Sequence, residues 1–90
     1  MNTDLGASLA GIVTVLDHNG GDSADVIALH IVQPPALGRW FNEYEWGDIA
    51  AFQSYVGQLV TLWILLDQDR NAEARIIAQV LLSNLPGKGL

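Results

Sequence analysis

Two apolar runs dominate the C-terminal half of the chain, LVTLWILLD (59–67) and ARIIAQVLLS (74–83), joined by the polar DQDRNAE segment. Read with the two-residue period of a strand, each puts its even-numbered positions on one wholly apolar face. The opposite face still carries Leu59, Trp63, Leu65, Ile77 and Leu81 among Thr61, Arg75 and Gln79. A small domain has little chain left to cover a second sheet face. The pattern therefore predicts self-association through that odd-numbered face, centred on Trp63 and isologous about a two-fold axis.

The rest of the chain fits the same alternation. LAGIVTVL (9–16) and ADVIALHIVQ (24–33) predict two β-branched strands joined at DHNGGDS (17–23), whose Asn-Gly-Gly accepts positive φ. Pro34-Pro35 ends the second strand, because neither residue donates to a ladder. RWFNEYEW (39–46) alternates as a third strand. Asp48 is the expected N-cap of a short helix with Ile49, Phe52 and Val56 on one face and Gly57 at its end, although a strand through 50–56 fits as well. Residues 1–7 and 84–90 are expected to be ragged ends, and no internal repeat is visible. The expected fold is a single β-rich α+β domain. Its five-stranded antiparallel barrel or sheet would be OB-like or SH3-like, with one short helix between strands 3 and 4.

Composition narrows the function more than it defines it. Half of the 90 residues are hydrophobic and 16% are charged, too apolar a balance for disorder. A chain this short buries only about 60 to 65% of its extended surface, which favours association. The net charge is −6, with Arg39, Arg70, Arg75 and Lys88 as the only cations. Four scattered cations make no footprint for nucleic acid or an anionic membrane surface, and the carboxylates are too irregular for a DNA mimic. With no cysteine, thiolate metal sites and cysteine nucleophiles are excluded. MNTDLGASLAG has neither a basic n-region nor a sustained apolar h-region, and the longest apolar-rich run is read as far short of a membrane span. A cytoplasmic protein without cofactor is expected.

Candidate chemistry concentrates in one place. Six of the seven aromatic residues lie between Trp40 and Tyr55, interleaved with Glu43, Glu45 and Asp48. Rings rimmed by carboxylates suit a cation, so Trp40, Glu43, Tyr44 and Trp46 form the candidate ligand-binding set, against the plainer reading that they pack the core. Asp17, His18, Asn19, Asp22 and Asp25 resemble a hard-cation loop in composition but not in spacing, and turn chemistry accounts for them. His30 has no partner that would make it catalytic or metal-binding, no serine lies in a G-x-S-x-G context, and no glycine loop leads from a strand into a helix. Acid–base catalysis by Glu43, Glu45, Asp48 or His30 finds no pair whose spacing demands it. The expected function is a small acidic, non-enzymatic binding or assembly module acting as a homo-oligomer. The alternative is a small barrel that binds a cationic or aromatic small molecule.

Overall fold

The computed structural model describes residues 4–89, and its five elements are all α-helices: α1 (Leu5–Asp17), α2 (Gly21–Ile31), α3 (Pro34–Glu43), α4 (Ile49–Asp67) and α5 (Asn71–Ser83). Among the described residues there is no sheet, so the expected β-rich α+β barrel, OB-like or SH3-like, is wrong. The buried positions show why. They fall at Leu5, Leu9 and Ile12 on α1, at Ala24, Ala28 and Ile31 on α2, at Tyr55, Leu59, Leu62 and Leu66 on α4, and at Ala74, Ala78 and Leu81 on α5. Steps of four and three are one face of a helix. The runs contain so many apolar residues that they also satisfy a period of two, and their Val and Ile content tipped the reading towards strands.

The odd-numbered face goes with the sheet. Leu59, Leu65 and Leu81 are buried inside the chain, while Trp63 and Ile77 are half-buried against the core. Each large side chain placed there contributes about 1.5–3 kcal/mol without any partner. Local punctuation was read correctly but joins different elements. Asp48 does cap α4, its Oδ1 accepting from the Ala51 amide at 2.8 Å, but the helix runs through Gly57 to Asp67. The expectation that every apolar run is far short of a membrane span is therefore wrong: as one 19-residue helix, this stretch is long enough to cross a membrane by length and composition. Pro34 and Pro35 open α3 instead of merely closing what precedes it, since the first turn of a helix needs no proline N–H.

The expected ragged ends are also ordered where described. Asp4 caps α1 by accepting from the Ala7 amide at 2.6 Å. Lys88 pairs with Asp4 at 3.1 Å, and residues 87–89 bond the chain around Tyr44. Residues 1–3 and 90 lie outside the described residues.

An internal repeat, missed in the strand reading, organises the molecule. The α1–α2 hairpin recurs as α4–α5 at a constant spacing of fifty positions, with Leu9, Leu16, Asp17, Ala24, Ile27 and Ala28 matched by Leu59, Leu66, Asp67, Ala74, Ile77 and Ala78. Both loops turn on a left-handed residue, Asn19 at φ 60° and Asp69 at φ 58°. Both close on the same backbone bond, from Gly20 to the Val15 carbonyl and from Arg70 to the Leu65 carbonyl. Along 21–31, every residue matches its counterpart in 71–81 in being buried, half-buried or exposed.

The four long helices form a closed ring in which α1 meets α2 and α5, and α4 meets α5 and α2. Exchanging the hairpins maps this ring onto itself. Gly21 and its counterpart Asn71 also touch, since a Cβ at Gly21 would lie 2.7 Å from Asn71 Nδ2. A residue that meets its own counterpart is what a two-fold axis between the hairpins requires.

Candidate functional site

The pseudo-symmetry breaks where α3 lies across the first hairpin. Gln33, extended at φ −65° and ψ 144°, turns the chain back after α2, and the two prolines start α3 at once. Trp40 then buries itself under α3 and donates its indole N–H to the Ile31 carbonyl at 2.9 Å. This satisfies an acceptor at the end of α2 that the helix leaves open. In the second hairpin the counterpart carbonyl, that of Leu81, accepts from the Tyr55 hydroxyl at 2.5 Å. The same structural need is met by unrelated aromatic residues from different elements.

Between α1, α2 and α3 lies a groove of about 800 Å³, within the usual range for small-molecule sites. Its apolar surface comes from Gly11, Val26, Ile27, Ile31 and Ala36 together with Trp40. Ser8, His30, Gln33 and Arg39 supply its polar groups. Arg39 stacks over the Trp40 ring at 4.9 Å and gives one Nη to Glu43 at a long 3.3 Å. Among the described residues no carboxylate lines the groove, although the chain carries ten acidic side chains.

The second hairpin shows what α3 adds. The counterparts of Ser8 and Gly11 are Gln58 and Thr61, which are exposed where Ser8 is buried and Gly11 half-buried. The counterpart of His30 is Val80, 45% exposed, beside Ile76 at 61%. No helix covers them.

The aromatic set expected from the sequence is divided by the fold. Trp40 lines the large groove. Tyr44 and Trp46 border a separate shallow hollow of about 200 Å³ with Phe41, Gly47 and Asp48. Glu43 lines neither space and is held by Arg39. Trp46 acts mainly as a packing post. Its indole donates to the Trp40 carbonyl at 2.9 Å, and its ring meets Phe52 at 5.1 Å, Tyr55 at 5.0 Å and Tyr44 at 6.0 Å. These contacts tie the end of α3 to α4.

Burial raises the Tyr44 phenol above its usual range, and burial raises Tyr55 further. Lys88 sits over the Tyr44 ring at 5.9 Å, so a cation already occupies that face. The turn residues 17–19 are also engaged locally: Asp17 binds Arg75 and His18 Nδ1 meets the Thr14 carbonyl at 2.9 Å. Among the described residues no cluster of three or more His, Cys, Asp or Glu could hold a metal ion.

Ser8, Gln33 and Arg39 were not singled out from the sequence, and His30 was weighed only as an isolated residue. Their one sequence signal is the Pro34-Pro35 break, which folds the segment holding Arg39 back over α1 and α2. No family model, curated protein or solved structure matches this chain.

Proposed function

We propose that this protein is a non-enzymatic binding module that captures an apolar small molecule in the groove between α1, α2 and α3. The carrying observation is the asymmetry between the hairpins. The two share core positions, loops and helix ends, yet only the first has an added helix and a polar-edged cleft. α3 leaves Val26 67% exposed, much as its counterpart Ile76 is at 61%, so it frames a cleft on the first hairpin instead of covering that apolar surface. Ser8 and His30 both line the cleft, but among the described residues no hydrogen bond joins them as nucleophile and base.

The test uses the neutral fluorophore N-phenyl-1-naphthylamine. Saturable enhancement at one dye per chain is expected, abolished by Gly11→Leu and retained in the counterpart Thr61→Leu. A Cβ at Gly11 meets nothing closer than Ile27 Cδ1 at 4.0 Å, so the backbone there admits a side chain at the wall of the groove. The substitution also removes a mid-helix glycine and should raise stability by about 0.5–1 kcal/mol. Equal dye binding by both variants would refute the reading.

A second reading, self-association, is favoured by the uncovered outer face of the second hairpin. Gly57, Gln58, Thr61, Ile76 and Val80 there are all uncharged, so two copies of a chain of net charge −6 meet on this face without opposed carboxylates. Sedimentation at rising concentration tests it. Wild type should dimerise and Ile76→Glu should not; a wild-type monomer at high concentration would dismiss it.

A further inference from the structure

We infer that the ligand of the α1–α2–α3 groove is an amphipathic monocarboxylate, its apolar body against Val26, Ile27 and Ala36 and its carboxylate at Arg39 and His30. This inference rests on the groove being a binding site and adds the charge of what it binds. The distribution of charge carries it. Acidic residues outnumber Lys and Arg by ten to four, yet among the described residues the groove lining contains one of the four cations, one of the two histidines and no acid. Its own charge is therefore positive, opposite in sign to the chain as a whole.

Arg39 is also the least engaged arginine. Arg70 holds Glu73 through two bonds at 2.9 and 2.6 Å, and Arg75 holds Asp17 at 2.6 and 3.3 Å and Gln79 at 3.2 Å. Arg39 makes the single 3.3 Å contact to Glu43. A guanidinium has five N–H donors in a planar fork suited to a carboxylate, so most of that capacity is open. Of the acids nearby, Asp4 accepts from the Ala7 amide and from Lys88, while Glu43 takes the Arg39 contact through Oε1 alone, its buried Oε2 having no partner among the described residues.

Ser8, buried at α1, and Gln33, at the start of α3, add uncharged groups along the same cleft. Stacking of Arg39 on Trp40 sets the cation directly beside apolar surface, the arrangement an amphipathic acid needs. The second hairpin has no equivalent, because Val80 stands where His30 is.

The experiment measures displacement of N-phenyl-1-naphthylamine by decanoate, decanol and decylammonium, with wild type, Arg39→Gln, His30→Gln and Gly11→Leu. Decanoate should compete best on wild type. Arg39→Gln should weaken decanoate about tenfold or more, the usual effect of losing a charge-assisted bond, with decanol unchanged. His30→Gln should give a smaller loss of the same kind.

Decanoate and decanol competing equally on wild type and on Arg39→Gln would overturn the carboxylate inference while leaving the groove as an apolar site. Preference for decylammonium would overturn it in favour of a cationic ligand. If the dye binds neither wild type nor any variant, the groove reading fails, and the inference with it.

Discussion

The two hairpins are alike where they face each other and different where they face outward. Inward, Leu9 and Leu59, Ala24 and Ala74, and Ala28 and Ala78 occupy equivalent buried positions. Outward, α3 flanks the first hairpin and frames a groove that His30 lines, while the second presents Val80 at that position with no helix beside it; Val26 and Ile76 are exposed on both. Shared inner positions with divergent outer ones mean that folding constrains the first set and leaves the second free to acquire a role. The likeness lies in the shared core and the difference on the outer faces.

The largest expected effect tests the likeness. Leu9→Ala and Leu59→Ala should each cost about 2–5 kcal/mol, since both leave cavities in one shared core. Each should lower a single unfolding transition in thermal denaturation. Two separate transitions, or one substitution without effect, would break the equivalence.

A smaller effect tests the helix ends. Trp40→Phe and Tyr55→Phe keep a ring but remove the donors to the Ile31 and Leu81 carbonyls. Each should cost about 1–3 kcal/mol for an unsatisfied buried acceptor. The first should also weaken dye binding, because Trp40 lines the groove, and the second should not. Urea melts and dye titrations on the same variants measure both.

These aromatic donors show how far the sequence could be read. Asp48 as a helix cap, the loops at 17–23 and 67–73 and the break at Pro34 follow from local chemistry, which acts over a few residues. Helix against strand did not follow, because Leu59, Leu62 and Leu66 mark a helical face within a run where Val60, Ile64 and Leu65 are apolar too. The turns were legible, but what they connect was not. The repeat was legible at Leu16-Asp17 and Leu66-Asp67, yet only six identities mark it across the two hairpins. Buried small positions such as Ala24 and Ala74 become informative once the helices are packed. The groove was hidden for another reason: it is assembled from three helices, and Ser8, His30 and Arg39 approach one another only after α3 turns back over α1 and α2.

The smallest expected effect sharpens the comparison at a pair of charges. Arg75 on α5 binds Asp17 on α1 at 2.6 Å. At the counterpart positions on α2 and α4 stand Asp25 and Asp67, two acids where the other interface has an ion pair. Asp25→Arg should restore the missing pair and stabilise the domain by about 0.2–1 kcal/mol, the range of an exposed bridge.

The pH dependence gives the sign. The hydrogen bond from Arg75 holds the Asp17 carboxyl below its usual pKa. Its contribution is therefore present above the unfolded carboxylate pKa and is lost as pH falls through the lower folded value. Asp17→Asn should flatten the acid side of a stability profile, and Asp25→Arg should steepen it. No change from Asp25→Arg would mean that the two interfaces are less equivalent than the backbone indicates.

The most direct test of one hairpin holding a site and the other not uses the three tryptophan indole N–H resonances. Trp40 lines the groove, Trp46 belongs to the aromatic post, and Trp63 lies on the second hairpin. In a 15N-correlated titration with decanoate, the Trp40 resonance should move saturably with the amides of Gly11, Ile27 and Ile31. Trp63 and the counterpart amides of Thr61, Ile77 and Leu81 should hold still. Equal movement on both hairpins, or movement at Trp63 alone, would contradict the account.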